Sequence, residues 1–300
     1  MENTKRPVFK GLRRLSYRDR AEEYSAARKS PYYWWWAYLR LSKDYWWVCQ
    51  QNGETLDAEL LAMWRDFGDI FSNEFGGWWQ KRGRTLFAEQ VRLPHVRAID
   101  PTMAELDPAA ENHVIVEIPL NLTERTISRQ VLAIVRAHPN RQIKPISQAK
   151  RQLCKLRGIR LAVLNMAHDI WCATHLMTLA KQANATIGKP FDRMTSQQLG
   201  VKLNLVDNCM PKRTDGEDKE RKKRNGMKVA VSRMVIRANA LIANAEIGKF
   251  PSTEAVAPRK RWTTAQQAAL DMAVADGKWR PRETEVREVK LMLGLSLLPG

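Results

Sequence analysis

Five aromatic rings stand side by side at Tyr32-Tyr33-Trp34-Trp35-Trp36, and any fold of this chain must find room for all of them. On a helix, successive side chains point roughly 100° apart, so five in a row occupy the whole circumference. Ser30-Pro31 supplies an N-cap followed by proline at the first helical position, and Asn52-Gly53 supplies a stop, so a helix is expected from Pro31 to about Gln51. Along it Trp34, Tyr38, Leu41, Tyr45 and Val48 form one apolar stripe, and Trp35, Leu39, Trp46 and Cys49 form its neighbour. A helix that is apolar nearly all round belongs in the centre of a core. The competing use of these rings is to stack single-stranded bases with Arg28, Lys29, Arg40 and Lys43 beside them. Burial of most of them is the stronger expectation, because aromatic side chains dominate cores, but five adjacent rings cannot all face one core, so one or two are expected to be exposed or at an interface. Rings left outside would form a surface for a protein partner or for self-association.

Eight of the eleven Trp, all six Tyr and five of the seven Phe precede residue 91, which marks residues 1–100 as an aromatic-rich helical module. A second helix is expected there from Asp57 to Glu74, with Gly76-Gly77 ending it and a turn-rich element from Trp78 to Phe87. Residues 101–149 read as a linker with one strand and one helix. The strand is His113–Pro119, where Val114, Val116 and Ile118 alternate, and the helix is 123–137, with Ile127, Val131, Ile134 and Val135 on one face. The fold class is therefore mainly α.

Charge divides the chain differently. Lys and Arg number 50 against 32 Asp and Glu, a net +18 with a pI near 10.0, and residues 151–250 alone carry 19 basic and 8 acidic side chains. Such a field attracts polyanions. Residues 150–250 are accordingly read as a basic helical nucleic-acid-binding domain. One long helix, or two nearly continuous ones, is expected from Lys150 to about Gln182, although Lys150, Arg151, Lys155 and Arg157 at its start would oppose the helix dipole. Thr195 and Gln198 have capping-box spacing and Gly200 can turn the chain, which suits the start of a helix-turn-helix-like unit. The run Lys212–Gly226 has no apolar residue and reads as a solvated loop, whose Arg221, Lys222, Lys223 and Arg224 are candidates for phosphate contacts. Beyond it, Lys228 to Ile247 is an amphipathic helix presenting Lys228, Ser232, Arg233, Arg237 and Asn239. Arg and Asn read guanine and adenine edges bidentately.

The tail, Arg259-Lys-Arg-Trp-Thr-Thr through Gly277-Lys-Trp-Arg280, resembles the opening of a Myb-type repeat, with a Trp-Thr pair, a helix, then Gly and a second Trp. The resemblance covers residues 259–280 and ends at Pro281, after which Glu283, Glu285 and Glu288 depart from what a DNA-reading helix needs. Residues 251–300 are expected to form a small helical appendage.

His168, Cys172 and His175 fall at i, i+4 and i+7, a spacing that would place three Zn²⁺ ligand types on one helical face, with Cys154 or Cys209 as the candidate fourth. No phosphate loop, nucleophile elbow or HExxH motif occurs, and no cofactor other than zinc is suggested. The longest fully apolar run, Tyr32–Leu39, has eight residues, far short of a membrane span, and the N-terminus has no apolar leader, so a cytoplasmic protein is expected. The four dispersed cysteines suit a reducing compartment.

These features point to a nucleic-acid-binding protein, with duplex DNA first, acting as a regulator or as an architectural component of a larger assembly. Two alternatives stay open: an RNA-binding subunit of a ribonucleoprotein, and a zinc-dependent enzyme or toxin built on His168, Cys172 and His175.

Overall fold

The computed structural model describes residues 26–88, 116–137, 149–154, 160–182 and 194–279, and this part of the chain is mainly helical. Among the described residues there is no strand: residues 116–119 are irregular, and His113, Val114 and Ile115 lie outside the described residues. The chain divides into two compact units, one of residues 1–8 and 89–149, the other of residues 9–88 and 150–300. The aromatic segment and the basic half, read from sequence as separate modules, thus contribute to the same unit and the same core.

That core is organised by α1 (Pro31–Arg40), every residue of which is buried. Ser30 caps it by accepting the Tyr32 N–H at 3.3 Å, with Pro31 at the first position. The expected continuous helix breaks at Leu41-Ser42, and α2 (Lys43–Gln50) starts afresh. The break has a local cause: the Ser42 hydroxyl accepts the Tyr45 N–H at 2.8 Å, making Ser42 an N-cap instead of a mid-helix residue. Asn52 and Gly53 then adopt positive φ values of 51° and 95°, and the Gly53 N–H reaches back to the Val48 carbonyl at 2.9 Å.

Trp35 sits at the centre, with Phe67 and Phe87 each 5.5 Å away and Phe250 stacked at 5.8 Å. Tyr32 to Trp36 are each 4% exposed or less, so base stacking on these five rings is ruled out by their packing. The indole N–H groups of Trp34, Trp35 and Trp78 donate to the carbonyls of Arg28, Ala245 and Phe67. Arg40 lies over Trp36 at 4.4 Å.

α3 (Ala58–Phe67) opens on Asp57, whose carboxylate accepts the Glu59 and Leu60 N–H groups. It ends earlier than expected, at Gly68 with φ 67°, while Gly76 and Gly77 lie inside the short α4 (Phe75–Trp78). A π-turn over Trp79–Gly83 leads into α5 (Arg84–Phe87). In the other unit, α6 (Glu124–Ala137) matches its expected bounds, and none of its residues is buried.

The expected helix from Lys150 begins only at Leu161, as α7 (Leu161–Gln182). Residues 150–154 are irregular, non-helical chain instead, tied by Arg151 N–H to the Leu86 carbonyl at 2.9 Å and by Cys154 N–H to the Phe250 carbonyl at 2.7 Å. Lys150 and Arg151 therefore never meet the unfavourable end of a helix dipole. α8 (Ser196–Lys202) has the expected Thr195/Gln198 capping box. Gly200 does not turn the chain: it lies within α8, where a Cβ would come 2.6 Å from Met227 Sδ, so its role is close helix packing. The 30-residue α9 (Glu217–Glu246) follows, then α10 (Thr264–Ala275). Residues 203–216, including a 3₁₀ turn at Asp207–Cys209, separate α8 from α9. That is much longer than the three or four residues of a helix-turn-helix turn, so no such unit is formed. No helix among the described residues is long and apolar enough to cross a membrane.

Candidate functional site

The charge run Arg221–Arg224 lies on α9 and is not a solvated loop. Glu217, Asp218 and Glu220 occupy the first turn, where acids complement the helix dipole, and these acids let a segment this polar enter a helix. From Arg221 to Ala245 no acidic residue occurs. The inner side of α9 packs Met227, Val231, Ala238, Leu241, Ile242 and Ala245 into the core, and the opposite side is open to solvent along the helix.

The sequence-derived nucleic-acid residues separate into three groups by what already holds them. Lys150 and Arg151 both pair with the buried Asp66, each at 2.5 Å, so they neutralise an internal carboxylate. Lys223 is likewise committed: its ammonium bonds Asp215 at 2.6 Å and the Met210 carbonyl at 2.9 Å. Arg221 pairs with Asp218 at 2.8 Å and Arg224 with Glu220 at 3.0 Å, but both pairs are exposed and so contribute little that an incoming phosphate could not replace. Lys222, Lys228, Ser232, Arg233 and Arg237 are exposed, and no carboxylate among the described residues pairs with these four cations. Asn239 is exposed but engaged, since its Oδ1 accepts the Trp171 indole N–H at 2.8 Å. A bidentate grip on adenine needs that same oxygen. Lys155 and Arg157 lie outside the described residues.

The loop before α9 is fastened by Asp215, whose carboxylate bonds Lys223, the Lys212 N–H and Lys219. Chiefly through the Lys223 hydrogen bond, its carboxyl is held down at about 2. The folded value lies below the ordinary one near 3.9, so the stabilisation is present above that value and is lost as pH falls toward 2. Thermal melts across this window should show an acid-sensitive component that Asp215→Asn removes. An equal acid loss in both proteins would contradict the assignment.

The zinc candidates are only partly brought together. His168 is enclosed between Trp34 and Tyr38, with Nδ1 3.4 Å from Asp169 Oδ1 and 3.9 Å from Cys172 Sγ. Asp169 is itself gripped by both of its oxygens from Arg28, at 3.1 and 3.0 Å. His175 belongs to a different cluster, stacked on Trp171 at 5.1 Å with Trp279 against its edge, and burial lowers its pKa. Among the described residues no group of three or more His, Cys, Asp or Glu could hold a metal ion.

Two features of the site escaped sequence reading. Val229 and Ile236, 48% and 66% exposed, project from the solvent side of α9 between its cations. The signal was their seven-residue spacing on the expected helix from Lys228, opposite its apolar stripe. A concavity of about 720 Å³ also lies between α2 and α10, lined by Trp46, Trp47, Gln50, Met272 and Lys278 among others. Comparisons of the chain with protein-family models, with curated proteins and with solved structures find no match.

Proposed function

We propose that this protein binds nucleic acid, duplex DNA in first place, along the solvent face of α9. The observation that carries this reading is that no carboxylate among the described residues pairs with Lys222, Lys228, Arg233 or Arg237, on a helix with no acid between Arg221 and Ala245. Elsewhere in the same unit cations are used internally: Asp66 takes Lys150 and Arg151, and Asp215 takes Lys223. Together on one acid-free stretch of helix, with no carboxylate partner among the described residues, these four cations present a positive face to an outside anion. In this reading Lys222 and Lys228, with Arg221 and Arg224 released from their exposed pairs, contact phosphates, and Arg233 and Arg237 reach base edges. Lys150, Arg151 and Lys223 drop out as contacts because their structural pairs claim them.

A long helix laid along a groove fits a regulator or an architectural component of a larger assembly. A protein partner at the Trp-rich region would meet the α2–α10 concavity, since Tyr32–Trp36 are enclosed.

The residue-level test is the double substitution Arg233→Ala and Arg237→Ala. Duplex affinity should fall at least tenfold, with sequence preference falling more than affinity for random DNA, and thermal stability should hold because both side chains are exposed. Survival of both affinity and preference would show that this face is not the reading surface.

A further inference from the structure

We infer that the centreline of the exposed α9 face, Val229 and Ile236 with Ser232 between them, recognises the C5-methyl groups of pyrimidines in the major groove; this rests on the duplex-binding reading above. Val229 and Ile236 are seven residues apart, so they stand on one line down the helix about 10.5 Å apart. Both are aliphatic and open to solvent, Val229 to nearly half of its surface and Ile236 to about two thirds. β-branched residues are weaker helix formers than the Lys, Glu or Gln that an idle outer face would carry, so their presence calls for a partner.

The surroundings identify that partner. Lys228 lies on one side of the line and Arg233 and Arg237 on the other, with no acid in this part of the helix. A second copy of α9 laid on this face would bring like charges together. A polyanion with an apolar feature matches both the rim and the centre. The major groove of DNA is wide enough to admit a helix and presents one such feature, the C5-methyl of thymine or of 5-methylcytosine. The major groove of duplex RNA is deep and narrow, and uracil lacks the methyl group. Ser232, short and between the two aliphatics, lets the helix backbone approach closely.

The test uses alternating copolymers that differ only in that methyl: poly[d(A-T)] against poly[d(A-U)], and poly[d(G-5-methyl-C)] against poly[d(G-C)], titrated with the whole protein and with Ile236→Ser. The wild type should bind the methylated member of each pair more tightly, by about fourfold for each methyl group seated against an aliphatic side chain. Ile236→Ser should lower affinity for the methylated duplexes and erase most of the difference, with unchanged helicity and melting temperature. Equal binding to both members, with steep salt dependence retained, would overturn this inference and leave duplex binding standing. Failure to bind any copolymer above background at low salt would remove the underlying reading and this inference with it. Loss of self-association in Ile236→Ser, with methyl discrimination unchanged, would assign the face to a second copy of the chain and contradict the proposal.

Discussion

Trp35→Ala should destabilise the protein by about 3–5 kcal/mol, the range for emptying a fully enclosed aromatic site. Trp35 is fully buried, its indole N–H donates to the Ala245 carbonyl at 3.3 Å, and it touches aromatic rings from three separate parts of the chain: Phe67, Phe87 and Phe250. Its removal opens a cavity at the point where the N-terminal helices meet the C-terminal end of α9. Because α9 is held there, the loss should lower the unfolding midpoint of the whole unit in urea, with no separate early transition for the basic half. A loss below about 1 kcal/mol, or two resolved transitions, would show that the aromatic segment and the basic half do not share one cooperative core.

The second large effect is expected from Arg261→Ala. Arg261 joins the start of α2 to the end of α9, bonding Asp44 Oδ2 and Glu246 Oε2 at 2.5 Å each, and Ser42 Oγ donates to the other Glu246 oxygen at 2.5 Å. Burial pushes the Glu246 carboxyl above its ordinary value, and Arg261 opposes that push. Without Arg261 the carboxylate stays buried with its compensating charge gone, a change that costs about 3–5 kcal/mol at neutral pH. The pH dependence follows from the direction of the shift. A carboxyl raised in the folded state binds its proton more tightly there than in the unfolded chain, so its folded state is favoured at low pH and penalised as pH rises. Arg261→Ala raises that carboxyl further, so its deficit should be largest at neutral pH and shrink as pH falls toward the ordinary glutamate value of about 4.3. Paired melts of wild type and variant across this range measure it, and a deficit independent of pH would contradict the role given to Glu246.

The parts of this structure that were legible in sequence are those fixed by neighbours along the chain. Ser30-Pro31 opens α1, Asn52-Gly53 ends α2, Thr195 and Gln198 cap α8, and α6 spans the stretch its periodicity marked. Burial of most of Tyr32–Trp36 was expected, but one or two rings were expected outside; all five are enclosed, because elements from both ends of the chain pack around α1. What misled the reading was competition between partners. Ser42 looked like a tolerable mid-helix serine, and its hydroxyl instead took the Tyr45 amide and split one helix into two. Lys150 and Arg151 looked like a basic helix start because Asp66, which claims both, lies 85 positions from Arg151 in sequence. The charge run before Met227 looked too polar for a helix, yet Glu217, Asp218 and Glu220 sit in the first turn and Lys219 and Lys223 find Asp215. A polar segment with no apolar stripe gives no periodic signal, so the start of α9 was hidden until the fold showed it.

The same competition decided the candidate site. Sequence ranks all cations alike, whereas the structure distinguishes those with internal carboxylates from those without. That distinction narrows the proposed contact surface to the outer face of α9, with Lys150, Arg151 and Lys223 removed from it. It also explains why the i, i+4, i+7 spacing of His168, Cys172 and His175 does not gather three ligands. His168 faces the buried aromatic core, while His175 is drawn into the Trp171 and Trp279 stack.

The most direct measurement is an anisotropy titration of the purified, nuclease-treated protein with labelled duplex DNA, single-stranded DNA and structured RNA at several salt concentrations. The account predicts tightest binding to duplex DNA. It also predicts a log–log salt slope of about −3 to −4 from the four phosphate contacts of α9, Arg221, Lys222, Arg224 and Lys228. Preference for structured RNA or single strands at equal salt, or equal and feeble binding to all three, would contradict it.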